Sequence, residues 1–261
     1  MKLGLVNKRA VVLGASKGLG AAIALALANE GAHVIGGARS VDAIAALSNK
    51  LEPEATGSIE ALQLDLADPR SITAFIDAVL SGGGADIVVN NSGGPPPGEA
   101  STVSATELSK HFDIMVAPLV AITQAALPGM RERKWGRIIT LTSSGVESPL
   151  PRLAISNALR QSLLGWSKTL AGEVAMDNVT ANVVVQGRIH TDRVDELDAA
   201  NAKRLGMSVD EVRAQSIASI PVGRYGKPEE LADVVAFLAS TRASYITGSI
   251  VRVDGGMIRS I

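Results

Sequence analysis

The feature that most constrains the fold of this 261-residue chain is a regular alternation of short apolar runs and helical stretches. The runs predicted as strands are residues 9–13, 33–37, 59–64, 87–90, 137–141, 179–185 and 250–253. The clearest helical stretches are residues 104–133 and 152–176. Because strand and helix take turns, we predict right-handed βαβ crossovers and a parallel sheet covered on both faces. No linker divides the chain, so we predict a single α/β domain over residues 1–261, doubly wound, with about seven strands.

Composition excludes several classes of protein. The absence of cysteine rules out disulfides, thiolate metal sites and thiol catalysis. With 25 basic and 26 acidic residues there is no net charge to attract nucleic acid, and only 3% of residues are aromatic. The three histidines are scattered, so no metal site is predicted. We find no targeting segment, and the apolar stretch 114–130 is interrupted by prolines, so a cytoplasmic protein without membrane contact is expected.

A glycine-rich loop follows the first predicted strand and precedes a helix. Its candidate cofactor-binding residues are Gly14, Ser16, Lys17, Gly18, Leu19 and Gly20. Glycines at this place allow a tight turn and let backbone N–H groups approach a diphosphate at the helix N-terminus. Taken with its strand and helix context, the loop predicts nucleotide binding.

The second strand indicates which nucleotide is bound. It ends at Arg39, where a site for NAD usually has an acidic residue that binds the ribose hydroxyls. Lys17 adds a second cation within the glycine loop. Two cations facing the adenosine ribose favour the 2′-phosphate, so NADP(H) is predicted and NAD(H) is the less favoured alternative.

Two segments interrupt the alternation, and both map to the edge of the sheet where ligands bind in open α/β folds. Residues 92–100 are rich in glycine and proline and are predicted as a loop. Residues 191–220 form a polar helical insertion between the last two strands, and they are predicted to act as a lid.

Along its whole length the chain resembles the short-chain dehydrogenases/reductases, in particular their 3-oxoacyl-reductase-like branch. The resemblance rests on the glycine loop, on Gly136-Arg-Ile-Ile, on residues 165–175 and on Val253-Asp-Gly-Gly. It implies a Rossmann fold and assembly into a homodimer or homotetramer through the two long helices and the last strand. It also implies further cofactor contacts, at Asp65, Leu66, Asn91, Ser92, Gly93, Arg160, Gly187 and Ile189.

The catalytic positions depart from the family pattern of Asn, Ser, Tyr and Lys. The resemblance puts Ser143 at the serine position, Ser156 at the tyrosine position and Arg160 at the lysine position. Met115 stands where the asparagine is expected. An aliphatic hydroxyl is a far weaker acid than a phenol, and a guanidinium does not release its proton as an ammonium does. The usual proton relay is therefore interrupted, although Ser143, Ser156 and Arg160 remain the catalytic candidates.

Three functions stay open at this point. The first is a reductase of a small-molecule or acyl-type carbonyl substrate, in which water or another group supplies the proton. His111, His190 and Asp192 are possible donors, although solvated roles are more common for such residues. The second is an inactive NADP(H)-binding sensor or partner subunit. The third, an assembly partner without cofactor, is disfavoured because packing does not require Lys17, Arg39, Asp65 and Asn91.

Overall fold

A computed structural model describes residues 2–261. Its strands are β1 (Arg9–Leu13), β2 (His33–Ala38), β3 (Ser58–Gln63), β4 (Ile87–Asn90), β5 (Gly136–Ser143), β6 (Val179–Gln186) and β7 (Ile250–Val253). All pairings are parallel, and the strand order is β3-β2-β1-β4-β5-β6-β7. The order reverses between β1 and β4, which makes that position the topological switch point. The predicted seven-stranded, doubly wound Rossmann fold is confirmed.

The helices lie on both faces of the sheet. They are α1 (Gly18–Asn29), α2 (Val41–Ala45), α3 (Pro69–Ser81), α4 (Ala105–Met115), α5 (Ala117–Glu132), α6 (Ala154–Val174), α7 (Asp192–Leu205), α8 (Val209–Ala218) and α9 (Pro228–Ala239). Helices α1 and α9 pack on one face, and α3, α5 and α6 pack on the other. The inner strands β4 and β6 are almost wholly buried between these layers, which explains their largely apolar composition.

The helical stretch predicted over residues 104–133 is two helices. Helix α4 ends at Met115 and α5 begins at Ala117, with Val116 between them at φ −119° and ψ −58°. Pro118 lies in the first turn of α5, where a missing N–H costs nothing because that turn has no intrahelical acceptor. The prediction of one continuous helix was therefore wrong, and Pro118 was the signal for the break.

Residues Ala105–Glu132 are long and apolar enough to cross a membrane by length and composition alone. Core helices of other proteins pass the same test. Here Leu119, Ile122 and Met130 are buried in the core against the sheet. We interpret the stretch as core helices, in agreement with the sequence-based prediction.

The predicted lid contains α7 and α8, joined by a short turn at Gly206. Ser208 and Glu211 form a reciprocal capping box at the start of α8. Such a box satisfies two otherwise unpaired N–H groups and defines the start of a helix. The lid is consequently built from well-formed helices.

Candidate functional site

The carboxyl ends of β1, β4, β5 and β6 meet at one edge of the sheet, and the predicted site residues gather there. Asn91 joins two of these strands, because its Nδ2 donates to the carbonyl oxygen of Leu13 at 3.0 Å. Ser92 is buried, and its Oγ lies 3.4 Å from the carbonyl oxygen of Met115. Gly93 follows at the exposed start of the loop. This edge includes the switch point, where ligands of such sheets bind.

The glycine loop leaves no room for a side chain at Gly20. A Cβ on Gly20 would lie 2.1 Å from the carbonyl oxygen of Gly14, which is far inside contact distance. Gly14 and Gly18 have φ of +66° and +56°, in the left-handed region that favours glycine. The backbone is thereby free to approach a ligand closely.

The N-terminus of α1 is free to receive an anion. Lys17 occupies the N-cap position with extended backbone, and no side chain caps the helix. The first N–H groups of a helix have no internal acceptor, and the helix dipole adds positive potential there. The loop and the helix start therefore fit the diphosphate of a dinucleotide.

Some of the residues predicted to bind the adenosine part of the cofactor already contact other residues of the protein. Arg39 is exposed after β2 and forms no ion pair with any residue in 2–261. Lys17 pairs loosely with Asp192, with 3.6 Å between Nζ and Oδ2, and both side chains are mostly exposed. The Asp65 carboxylate accepts from the backbone N–H of Ala67 at 3.0 Å, and Leu66 packs against the core. Arg39 and Lys17 are thus free to bind a phosphate, since an exposed ion pair is weak.

The turn after β6 closes the opposite side of the site. Gly187 is required there, because its Cβ would lie 2.6 Å from the Cα of Asp254. Ile189 is buried and bridges to Gly226. The Oε1 of Gln186 is buried without a hydrogen-bond partner. A buried acceptor without a partner costs free energy, so Gln186 is available to a bound ligand.

The three catalytic candidates come from β5 and α6. Ser143 is the last residue of β5, and Ser156 and Arg160 lie one turn apart near the start of α6. Ser156 and Arg160 are each only 8% exposed. Met115, at the position where the family resemblance predicts asparagine, is buried in the core and supplies only its carbonyl oxygen to Ser92. The polar candidates at this centre are therefore the two serines and the arginine.

Arg160 is held by main-chain carbonyl groups. Its Nη2 donates to the carbonyl oxygen of Ser92 at 3.1 Å and lies 3.5 Å from that of Gly93. Its Nη1 lies 3.4 Å from the carbonyl oxygen of Leu141. Burial, and then the positive charge of Arg193, lower the pKa of Arg160 from its usual value to about 10. Arg160 remains a cation at neutral pH.

A buried network holds the lid against the turn after β6. The carboxylate of Asp198 is fully buried; it accepts from Arg188 Nη1 at 2.6 Å and from the Tyr225 hydroxyl at 2.7 Å. Burial raises the pKa of Tyr225, and its hydrogen bond to Asp198 acts in the same direction. Sequence analysis did not identify Asp198 or Tyr225 as site residues. Their contacts join different elements of the fold, and such contacts leave no periodic pattern in the sequence.

The sequence-predicted proton donors do not gather at Ser143. His190 is exposed, and its Nε2 lies 3.3 Å from Asp195 of the lid. His111 lies on α4, one turn after Glu107. Two hydrogen bonds with Ser104 lower the pKa of the Glu107 carboxyl, and the nearby His111 acts in the same direction. Asp192 faces Lys17. Within residues 2–261 the structure shows no group of three or more His, Asp and Glu side chains that could hold a metal ion.

The chain is similar to known proteins over almost its whole length. The sequence model of a family described as enoyl-(acyl carrier protein) reductase matches residues 14–258. The chain is 36% identical over 258 residues to 3-oxoacyl-(acyl-carrier-protein) reductase FabG of Vibrio cholerae, covering 98% of this chain and 99% of that protein. It is 36% identical over 252 residues to the Escherichia coli enzyme, covering 96% and 97%.

A solved structure is similar over its whole length. L-Sorbose reductase from Gluconobacter frateurii, crystallised with NADPH and L-sorbose, matches with a TM-score of 0.92 and 33% identity, covering 100% of both chains. Fold and sequence similarity thus extend from end to end.

Proposed function

This chain belongs to the short-chain dehydrogenase/reductase family, and on that premise we propose that it is an NADP(H)-dependent oxidoreductase that reduces a 3-oxoacyl-like carbonyl substrate with a proton donor other than tyrosine. The observation that carries the proposal is the uncapped start of α1 beside a glycine loop that has no room for a side chain at Gly20. FabG proteins are named for reduction of 3-oxoacyl groups, and the sorbose reductase was crystallised with NADPH.

The residues at the sheet edge fit the cofactor that this proposal requires. Gly14, Ser16, Gly18, Leu19 and Gly20 would surround its diphosphate, and Lys17 and Arg39 its 2′-phosphate. On the opposite side, Gln186, Gly187 and Ile189 would bind the nicotinamide. Asp65 and Leu66 would lie at the adenine, and Asn91, Ser92, Gly93 and Arg160 near the ribose. Bound NADPH would supply the hydride.

The chain's own residues orient the carbonyl group. In this proposal Ser143 donates a hydrogen bond to the carbonyl oxygen, which gains negative charge as reduction proceeds. Ser156, which is buried in the first turn of α6, positions the water that supplies the proton. Arg160 provides a fixed positive charge that stabilises the developing oxyanion, and it does not itself transfer the proton.

One observation favours a second function. Three of the four positions of the family's catalytic pattern are replaced, at Met115, Ser156 and Arg160, whereas the predicted nucleotide cradle is complete. A chain that binds NADP(H) without reducing a carbonyl would act as a sensor or partner subunit. In that case the lid, residues 191–220, would respond to the bound cofactor. Turnover of NADPH with a panel of 3-oxoacyl esters and small ketones separates the two functions.

We expect the protein to form a homodimer or a homotetramer in the cytoplasm. Met176 and Tyr245 are almost fully exposed, and Ile250 on the edge strand β7 is half exposed beside a cleft of about 330 Å³ lined by Leu164 and Val183. The unpaired edge of β7 and its exposed apolar residue Ile250 are the features that support association. Sedimentation equilibrium measures the association, and a concentration-independent monomer would contradict it.

Cofactor choice gives the first test. Replacing both Lys17 and Arg39 with alanine is expected to weaken NADPH binding by about a hundredfold and NADH binding by less than twofold, since only NADPH has the 2′-phosphate. Titrations following Trp135 and Trp166 fluorescence measure both affinities. Asp192→Asn is the matched control, because it removes the ion pair of Lys17 and leaves the cation in place. Equal losses for the two nucleotides would contradict the assignment.

Ser143 gives the second test. Ser143→Ala is expected to lower kcat/KM for carbonyl reduction by about a hundredfold, the usual effect of removing one donor to a developing oxyanion. The Kd for NADPH is expected to stay within twofold. Ser162→Ala on the exposed side of α6 is the control, since its hydroxyl bonds only to the carbonyl oxygen of Leu159. Full activity of the Ser143 variant would exclude Ser143 from catalysis.

A further inference from the structure

Gln186 carries a buried hydrogen-bond acceptor that has no donor within residues 2–261. It is the last residue of β6, and the seven residues before it in the strand are buried. The unpaired atom is the side-chain oxygen, Oε1. Leaving a buried acceptor unpaired costs free energy, and native proteins keep few such atoms. The Gln186 oxygen therefore calls for a functional explanation.

Three other side-chain atoms of the described chain are buried and unpaired, but none is an acceptor at the carboxyl edge of the sheet. Thr180 lies near the start of β6, which is the opposite edge. Ser167 lies in α6, about 20 Å along the helix from its start at the carboxyl edge. The third atom, Arg213 Nε, is a donor. Gln186 thus stands alone in offering an unpaired buried acceptor where ligands of such sheets bind.

The strand register places Gln186 beside Ser143. The two residues are paired in the parallel ladder of β5 and β6, and Val253 of β7 is the partner on the other side. Residues paired across a ladder extend their side chains from the same face, and neighbouring strands are about 4.8 Å apart. No hydrogen bond joins the two side chains. Gln186 is therefore next to the residue at which the proposed function places the substrate carbonyl group.

The same face of the sheet carries helix α1. Val184, two residues before Gln186, belongs to one core cluster with Ile23 of α1 and Val235 of α9. Alternate residues of a strand share a face, so Gln186 extends from β6 on the side where α1 lies. A dinucleotide with its diphosphate at the start of α1 would lie on the face that Gln186 and Ser143 share.

The strong donors on the adjoining segments are engaged elsewhere. Arg188, in the turn after β6, donates to Asp198. Arg252 of β7 donates to the carboxylate of Glu147 at 3.0 Å. The backbone N–H of Gly187 donates to a carbonyl oxygen of β7 at 2.9 Å. These contacts leave the Gln186 oxygen to a donor from a bound molecule.

A bound molecule can reach this oxygen after a local rotation of the amide group. Gln186 is partly exposed at the open edge of the sheet, although its Oε1 is buried. The terminal torsion of a glutamine is broad, and turning it here breaks no hydrogen bond of Oε1. The backbone stays in place, because Gly187 packs directly against the main chain of Asp254.

The unpaired atom is an acceptor, and this selects the group that it binds. Near Ser143 the carbonyl substrate presents only another acceptor, whereas the carboxamide of a nicotinamide presents N–H donors. The ribose hydroxyl groups are the other donors at this end of the cofactor. The proposed function places them near Asn91 and Arg160, which contact Leu13 and Ser92. The carboxamide is therefore the group that matches Gln186.

We propose that Gln186 Oε1 accepts a hydrogen bond from the carboxamide N–H of bound NADP(H), and that Gln186 is a positioning residue for the nicotinamide ring. The inference rests on the proposed function and specifies how that site orients its cofactor. A carboxamide held in this way fixes the rotation of the ring about its bond to the ribose. One face of the nicotinamide is then presented to the carbonyl group at Ser143.

The test uses a cofactor analogue that lacks the donor. In the 3-acetylpyridine analogue of NADP⁺ a methyl group replaces the NH₂ group, and the carbonyl oxygen and the charged ring remain. Calorimetric titration measures the Kd of each nucleotide without turnover. We expect the wild-type protein to bind NADP⁺ about tenfold more tightly than the analogue, because the analogue leaves the acceptor unpaired.

Gln186→Leu removes the acceptor and keeps a side chain of similar size. We expect it to weaken NADP⁺ binding about tenfold without weakening binding of the analogue, so that the preference disappears. Gln186→Glu retains an acceptor and is expected to restore the preference. Gln124→Leu, on the exposed side of α5, is the matched control and is expected to keep the wild-type ratio.

Each outcome decides the inference, and NADPH turnover tests the proposed function separately. Equal affinity of the wild-type protein for the two nucleotides would overturn the contact, even if a carbonyl compound were reduced. A preference that persists in Gln186→Leu would overturn the assignment to Gln186. Equal weakening of both nucleotides in that variant would indicate a structural role and would overturn it as well. The expected pattern without any turnover would support the contact and reject the reductase.

Discussion

Replacing Gly20 with alanine is expected to abolish NADPH binding and to lower the free energy of unfolding by about 3 kcal/mol. The new Cβ would lie 2.1 Å from the carbonyl oxygen of Gly14 and 3.1 Å from the Cα of Ala15. Both obstacles are backbone atoms, so no side-chain rotation relieves the clash. The loop must move away from α1, and the groups that would surround the diphosphate move with it.

Urea denaturation and the NADPH fluorescence titration measure the two effects. Gly172→Ala is the matched control, because Gly172 lies in helix α6 with no neighbouring atom within 4 Å of its Cβ. That substitution is expected to stabilise the protein by about 0.5 kcal/mol, since alanine favours a helix over glycine. Tight NADPH binding by the Gly20 variant would show that the loop is not the diphosphate site.

Replacing Asp198 with alanine is expected to destabilise the protein by about 3–5 kcal/mol, the cost of removing one partner from a buried ion pair. The Arg188 side chain would lose its carboxylate partner, and the Tyr225 hydroxyl would lose its acceptor. Because Arg188 belongs to the turn after β6, the loss also releases the lid from the predicted nicotinamide side. We therefore expect kcat/KM to fall together with stability.

Thermal unfolding and hydrogen exchange of α7 and α8 measure this effect. Asp198→Asn retains the volume and one acceptor, so a smaller loss is expected than for alanine. Asp210→Ala is the control, because that carboxylate is almost fully exposed and its one ion pair, with Arg213, is long at 4.0 Å. Its removal is expected to change the free energy of unfolding by less than about 0.5 kcal/mol. Equal stability of the Asp198 and Asp210 variants would contradict the role given to the network.

The order of strands and helices was predictable, because each element has its own local pattern of apolar residues. A buried parallel strand is a continuous apolar run, and glycine marks the turns between elements. The glycine loop was equally visible, because its short spacing lies within one βα unit. The break at Val116 was missed because both flanking helices share one apolar pattern, although Pro118 marked it.

The arrangement of charges was decided by the tertiary structure. Arg160 meets Ser92 from 68 residues away, and Arg193 meets Pro95 from 98 residues away. Neither contact leaves a periodic signal, and the lowered pKa of Arg160 requires burial that only the packed sheet edge provides.

The sequence alone thus determined the fold class, and it predicts the nucleotide loop and the absence of the usual catalytic tyrosine. Only the tertiary structure decided that Arg160 is a buried cation held by main-chain carbonyl groups, because such contacts depend on distances across the fold and not along the chain.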